Sequence, residues 1–241
     1  MPDLISIIDA DSDLADLLSP SERERARREA LTRVRRLSVG EWQAAEAVEL
    51  DVHHHGFLII DGLISREVEV LGRRACELLG PGDVLRPWRW DPDGSHVHAE
   101  VGWKVLEPTR LAVLDQGLIV RMAPWPQLGL ELFARGTRRA HSLAIVLAIA
   151  HHQRVDDRLI LTLWHLADRW GRVSTDGVIL PLPLPHQRLA DLVGAHRPSV
   201  TTATGELVRG GRIKRREDGS WLLLGPPPDE LGHHRMIAAM S

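Results

Sequence analysis

The residues best suited to chemistry with a partner lie in the last quarter of the chain. Between His186 and Trp221 the basic side chains are Arg188, Arg197, Arg209, Arg212, Lys214, Arg215 and Arg216, opposed by Asp191, Glu206, Glu217 and Asp218. The formal net charge of the whole chain is −3, so this excess is local. For a polyanionic partner the distribution of charge matters more than the sum. Cations grouped in this way displace condensed counterions from a phosphate backbone. Arg197 carries the planar fork that meets guanine O6 and N7 together. Ser199, Thr201 and Thr202 are short polar groups suited to phosphate oxygens or a thymine methyl. Arg188, Arg212, Lys214 and Arg215, with Arg216, supply charge that a duplex meets through its backbone whatever its sequence.

A second set has the types of metal ligands. His96, His98 and Glu100 alternate, so on a strand their side chains would share one face and offer N, N and O donors to zinc or iron. His53, His54 and His55 form a run near another expected strand. The alternative reading they support is a metal-binding, cupin-like protein or enzyme on a jelly-roll wall. The spacing that cupins use, two histidines with a glutamate several residues later, is not matched. The single cysteine, Cys76, excludes an intrachain disulfide or a site with several cysteine ligands, and reads as a buried thiol. No catalytic residue is assigned.

The cationic set needs elements to hold it, and the local sequence supplies them. HQRLADLVG reads as a short amphipathic helix with Leu189, Leu192 and Val193 inward, stopped by Gly194. A second helix starts at Arg197-Pro198, where the missing proline N–H needs no intrahelical partner. It turns Val200, Ala203, Thr204 and Leu207 toward the first helix. After Gly210-Gly211, RIKRR-EDGS-WLLLG reads as two strands around a tight Asp218-Gly219 turn. Helix, turn, helix and β-hairpin make a winged helix-turn-helix, whose second helix enters a major groove by its N-terminal residues.

Upstream the texture is different. Residues 1–38 read as an N-terminal helical extension, with PSERERARREALTRVRRL an ion-paired, solvated helix over 20–37. Residues 39–126 break into short apolar runs separated by turn signals, as in an antiparallel barrel or sandwich. Asp61-Gly62, Gly80-Pro81-Gly82-Asp83, Asp91-Pro92-Asp93-Gly94 and Glu107-Pro108 are the expected turns. Trp88, Trp90 and Trp103 have the apolar surface to line a pocket there. Residues 127–153 read as one helix near 128–152, about 37 Å long and longer than a small domain needs, hence a subunit-pairing helix. Two shorter helices broken near Gly136 are the alternative. DRLILTLWHLADRWG forms a further helix, capped by Asp156 or Asp157 and closed by Gly171; VILPLPLP reads as an extended connector. Residues 154–241 hold the winged unit. The acidic opening MPDLISIIDADSDLADLL has no basic stretch, and no apolar run reaches the ~18 residues of a spanning helix, so a cytoplasmic protein is expected.

LPHQRLADLVGAHRPSVTTATGELVRGGRIKRREDGSWLLL resembles the reading head of the CRP/FNR transcription regulators, and DRLILTLWHLADRWG the helix that enters it. GFLIIDGLISREV, LLGPGDVL and VLEPTRLAVLD resemble that family's sensor barrel. The likeness spans roughly residues 40–224. It implies an α+β chain: a cyclic-nucleotide-binding-like jelly-roll β-barrel, a long dimerisation helix and a C-terminal winged helix-turn-helix. It further implies a homodimer on double-stranded DNA acting with RNA polymerase, with two reading heads reoriented about the long helix. Two departures carry expectations of their own. The family's best-known recognition helices bear Arg-Glu and a later Arg; here Arg197 is kept, while Pro198 and Thr202 fill the other positions, so a different operator is expected. After Gly82-Asp83 the chain reads Val84-Leu85-Arg86-Pro87-Trp88, without the family's ribose-facing glutamate and phosphate-facing arginine. Cyclic AMP is therefore not expected and no cofactor is assigned. Arg86, Trp88 and Trp103 are the candidates for a pocket taking another small effector.

Overall fold

A computed structural model describes residues 3–43, 54–87 and 96–228. The chain divides into two compact units, Met1–Ser142 and Leu143–Ser241. Each is built on an antiparallel sheet.

In the N-terminal unit, strand β1 (Leu4–Ser6) is followed by the short helix α1 (Ile7–Ala10) and helix α2 (Pro20–Glu29). Strands β2 (Leu31–Leu37), β3 (Gly40–Glu41), β4 (His54–Val70), β5 (Arg73–Leu79), β6 (Val84–Leu85) and β7 (Glu100–Asp115) complete a seven-stranded sheet. Its spine runs β1-β2-β7-β4-β5; β3 lies on β7 and β6 on β4. Ser19 and Glu22 form a reciprocal capping box at the start of α2, and Arg25–Glu29 and Arg28–Glu24 pair along its surface. The helix ends at Glu29, however, and the helix expected as far as residue 37 is corrected there. Leu31–Leu37 pairs with β7, with Thr32 buried and its hydroxyl bonded to the Val113 carbonyl. An extension that only coated the fold would leave its apolar residues wet. Instead Ile7, Ile8 and Leu14 are fully buried against Leu58, Ala112, Leu118 and Leu128, each contributing about 1.5–3 kcal/mol. Of the expected extension, the described residues 3–38 thus contribute to the sheet and its core.

Two expected turns prove to be strand interior. Asp61-Gly62 lies within the continuous β4, where the register against β7 shifts between Ile59 and Ile64. The Asp61 carboxylate is taken up by Arg110, whose backbone N–H and Nε reach it at 3.2 and 2.7 Å. Gly62 (φ +92°) passes so close to β7 that a Cβ would fall 2.5 Å from the Pro108 carbonyl oxygen. Pro108 removes the ladder donor facing this bulge, so Glu107-Pro108 marks the same irregularity rather than a turn. Gly80–Asp83 is a turn as expected, closed by Asp83 N–H to the Gly80 carbonyl (3.0 Å) and by the Asp83 carboxylate on Gly80 N–H (2.8 Å). Asp91–Gly94 lies outside the described residues. Trp42, Phe57, Trp103, Leu85 and Leu111 fill a second core, with edge-to-face ring pairs at 6.1 and 5.8 Å.

Helix α3 (Gln116–Met122), capped by Asp115, leads to α4 (Pro126–Ala150), a single 25-residue helix that runs through Gly136 unbroken. In the N-terminal unit one face of α4 is held by the fully buried Leu128, by Arg135 on Asp11 (2.7 Å) and by Arg139 on Glu77 (2.7 Å).

The C-terminal unit contains α5 (Val155–Trp170), strands β8 (Arg172–Ser174) and β9 (Gly177–Leu180), helices α6 (His186–Val193) and α7 (Arg197–Arg209), and strands β10 (Ile213–Arg215) and β11 (Trp221–Leu223). Leu159, Ile160, Leu163 and Leu166 give α5 its buried face. Arg154, not an aspartate, stands at its N-cap, and Asp156 in the first turn pairs with that arginine instead. The stretch expected as a plain connector begins with β9, which joins the wing in a four-stranded sheet of order β10-β11-β9-β8. Gly177 (φ +145°) permits this, since a Cβ there would sit 2.2 Å from the Leu223 carbonyl oxygen.

Candidate nucleic-acid interface

Helix α6 buries Leu189, Ala190 and Val193 and leaves Leu192 half-buried. Gly194 ends it in the left-handed conformation (φ +61°, ψ +44°), where the Ala195 N–H returns to the Ala190 carbonyl at 3.0 Å. Arg158 of α5 secures this corner: its Nη1 donates to the carbonyls of Val193 (3.0 Å) and Gly194 (3.2 Å). Orphan carbonyls at a helix end carry partial negative charge, so a guanidinium there both satisfies and locks them. Helix α7 then starts at Arg197 with Pro198 in its first turn. Val200, Ala203, Thr204 and Leu207 are its buried residues, as the periodicity predicts.

The opposite face of α7 is open. Arg197, Pro198, Ser199, Thr201 and Thr202 are all exposed. The threonine hydroxyls are already engaged inside the helix, Thr201 donating to the Arg197 carbonyl (3.1 Å) and Thr202 to that of Pro198 (3.2 Å). They therefore offer methyl groups and acceptor lone pairs outward, which suits thymine methyls better than phosphate oxygens. Thr201 Oγ1 also lies 3.0 Å from Nδ1 of His186, the first residue of α6.

The wing adds charge beside this face. Lys214, Arg215 and Arg216 are exposed, Arg212 half-buried. Its turn is a three-residue loop, Glu217–Gly219, rather than the two-residue turn expected; Gly219 (φ +82°) donates to the Arg216 carbonyl at 3.0 Å. Ser220 N–H and Oγ both donate to Asp218, and these bonds hold that carboxyl below the usual carboxylate range. Arg215 stands opposite Trp221 in register, with its guanidinium 5.5 Å from the ring centroid. Among the described residues Arg197, Arg212, Lys214 and Arg215 form no ion pair, and Arg216 meets Asp218 only at 3.9 Å. Arg188, on α6, is half-buried. Burial, then Arg215 and then Arg197, push the His186 imidazolium pKa below its usual value.

Known proteins share this arrangement. Residues 157–226 match the family model of the Crp-like helix-turn-helix domain. The regulatory protein CysR of Synechococcus elongatus is 28% identical over 139 residues, 56% of this chain and 65% of that protein. Residues 157–226 thus carry a Crp-like helix-turn-helix domain. Solved structures place the wider fold beside it at identities that speak for fold alone. A cyclic nucleotide-binding domain containing protein from Listeria monocytogenes superposes with a TM-score of 0.63 at 15% identity, over 89% of this chain and 97% of that one. A CooA mutant from Carboxydothermus hydrogenoformans gives 0.61 at 16%, over 80% and 83%. FixK2 from Bradyrhizobium japonicum gives 0.57 at 14%, over 80% and 92%. The expected architecture is present: a sheet-rich N-terminal unit with a long helix, and a helix-turn-helix C-terminal unit.

Two of the three sensor candidates, Arg86 and Trp103, lie among the described residues. Trp103 is in the packed core, 6% exposed, with Arg66 over its ring at 5.9 Å. Arg86 is exposed, and Trp88 and Trp90 lie outside the described residues. The metal candidates fail on geometry. His96 and His98 precede β7 instead of alternating along it; both are exposed, as is Glu100 at the strand's first position. Among the described residues no three His, Cys, Asp or Glu side chains are placed to hold a metal. His53 lies outside the described residues, and His55 bonds Gln116 at 3.1 Å. Cys76 is buried, with Sγ 3.4 Å from Ser65 Oγ. Among the described residues no helix is long and apolar enough to cross a membrane. Two residues of the interface escaped the sequence reading, Arg158 and His186. Both act across long gaps in sequence that helical periodicity does not register.

Proposed function

We propose that this protein is a regulator of the CRP/FNR type, a sequence-specific DNA-binding protein that reads duplex through α7 and its wing. The observation that carries the reading is the set of cations on α7 and β10, exposed and, among the described residues, without a carboxylate partner. A protein that needed them for its own stability would pair them. Arg197 reads a base edge; Lys214, Arg215 and Arg212 meet backbone phosphates; Ser199, Thr201 and Thr202 line the groove beside them.

The protein acts as a homodimer through α4, and in that form on RNA polymerase at the promoter. The face of α4 that carries Leu130, Phe133, Ala140 and Leu147 is exposed, with Leu130 and Phe133 at 64% and 76%. Large and small apolar residues at spacings of three, seven and seven suit the seam of two paired helices. Two-fold symmetry then sets half-sites about 34–36 Å apart. The chain spans 65% of the CysR protein it matches.

The test is a salt-dependent anisotropy titration on duplexes selected from a random pool. Arg197→Ala should lose about 1–3 kcal/mol of discrimination between selected and random duplex. Lys214→Ala should weaken both alike and reduce the salt slope by about one. Equal losses on both duplexes for Arg197→Ala would remove its base-reading role, and absence of duplex binding at low salt would overturn the proposal.

A further inference from the structure

His186 occupies a position for which cation and neutral base have opposite consequences. It opens α6, and its Nδ1 lies 3.0 Å from the hydroxyl of Thr201 on α7. That hydroxyl donates to the Arg197 carbonyl, so its oxygen is left to accept from Nδ1–H. The bond fixes the tautomer and leaves Nε2 as the titrating atom. The ring is half-buried, and the charges of Arg215 on β10 and Arg197 on α7 both act on it. Helix α5 meets α6 at the far end, with Arg158 on Val193 and Gly194. On α6 itself Gln187 is turned to Asp191 (3.1 Å). Burial and the arginines together favour the neutral ring in the free protein.

A phosphate of the duplex reverses this balance. An anion set against Arg197 and Arg215 cancels their repulsion of the ring and offers Nε2–H an acceptor. We propose that His186 is a further phosphate contact of this interface, one that becomes charged only when a backbone phosphate docks, so that duplex binding takes up a proton. This rests on the DNA-binding reading and adds a regulation to it: affinity rises as pH falls. The sign follows from linkage. The free-state value lies below about 6.5 and the bound-state value above it. Between the two, binding strengthens by up to about tenfold per pH unit of acidification, and outside that window it is flat.

The experiment is anisotropy on a selected duplex from pH 5.5 to 8.5 at fixed ionic strength, using the full chain. Wild type should bind several-fold more tightly at the acid end. His186→Asn keeps a donor for Thr201 but has no titrating nitrogen, and should bind with a flat profile at the weak level. His186→Lys should be flat at the tight level, which a purely structural role for the ring would not produce. His196→Asn, one residue before α7, should keep the wild-type slope. A flat wild-type profile, an unchanged slope in His186→Asn, or a slope lost in His196→Asn overturns the inference. Absence of duplex binding at every pH overturns the DNA-binding reading itself and is recognisable as that.

Discussion

Arginine serves opposite purposes in the two units. In the N-terminal unit it is answered by carboxylates: Arg135 by Asp11 at 2.7 Å, Arg139 by Glu77 at 2.7 Å, Arg33 by Asp115 at 3.2 Å, and Arg110 by Asp61. Burial lifts the Asp11 carboxyl above the usual carboxylate range even with Arg135 beside it, a sign of how deep this pair lies. In the C-terminal unit the core is apolar, and the described cations of α7 and β10 face outward without a carboxylate. The first unit thus uses charge to fix the position of its own elements, α4 above all. The second spends Arg154 and Arg158 on its own helix ends and leaves the cations of α7 and β10 open, the set that the proposed function gives to a duplex. The number of arginines in a segment says little; whether a carboxylate is in reach says what they are for.

The comparison breaks most sharply at Trp221. It is fully buried, at the centre of the head's sheet, and its ring supports Arg215. Trp221→Ala should cost about 3–5 kcal/mol, a large share of the roughly 5–15 kcal/mol typical of a domain. Duplex binding should disappear while the β-sheet signal of the N-terminal unit persists, as followed by circular dichroism during a thermal melt. Trp221→Phe should restore most of the binding. An alanine variant that melts and binds like wild type would show that the head is not held by its apolar core.

The next largest effect tests the charge-built unit. The Arg139 and Glu77 side chains are 18% and 16% exposed, and Arg139 also donates to the Val84 carbonyl at 3.3 Å. Burial works against the Arg139 cation, but the Glu77 hydrogen bonds and charge outweigh it and leave its pKa raised. Arg139→Leu strands the Glu77 carboxylate with Arg66 at 3.7 Å as its remaining cation among the described residues. The loss should be about 3 kcal/mol in urea unfolding. Adding Glu77→Leu should recover most of it, since replacing both partners removes the uncompensated charge. A double variant no more stable than the single would mean that the pair does not hold α4.

The same contrast explains what could be read from sequence. The head is assembled from local signals: Leu189 and Val193 one turn apart, Gly194 as the stop, Pro198 in the first turn, and Val200, Ala203 and Leu207 on one stripe. All operate within a few residues, and all fall where periodicity puts them. Its misses are non-local. The pairing of β9 with β11 depends on Leu223 meeting Val178 far away in the chain, and His186 reaches Thr201 only once the turn has folded. In the N-terminal unit nearly every decision is non-local. Asp61-Gly62 has the composition of a hairpin turn, yet its φ serves a bulge because Arg110 and Pro108 stand opposite. LTRVRRL has the charge pattern of a helix face, yet β7 offers it a ladder. His96, His98 and Glu100 alternate in type, yet the strand begins only at Glu100, so alternation has no face to act on. Propensity names what a segment tolerates; the partner strand decides what it becomes.

The smallest effect concerns strain rather than charge. β4 and β5 are joined through Leu71-Gly72, with Val70 paired to Arg73 and both loop residues at positive φ, +47° and +74°. Two such residues make a type I′ turn, whose hand matches the twist of the strands and whose first position favours asparagine. Leu71 is the one non-glycine residue with positive φ among those described, and it is 98% exposed. Its side chain gains nothing from burial, while its Cβ opposes the left-handed backbone at a cost of about 1–2 kcal/mol. Leu71→Asn should therefore stabilise the N-terminal unit by about 0.5–1 kcal/mol in urea titration, because asparagine tolerates the left-handed region. Duplex affinity should be unchanged. A destabilised Leu71→Asn variant would show that the exposed leucine makes a contact in solution that outweighs its backbone, and the hairpin tip would then join α4 as a surface this unit turns toward a partner.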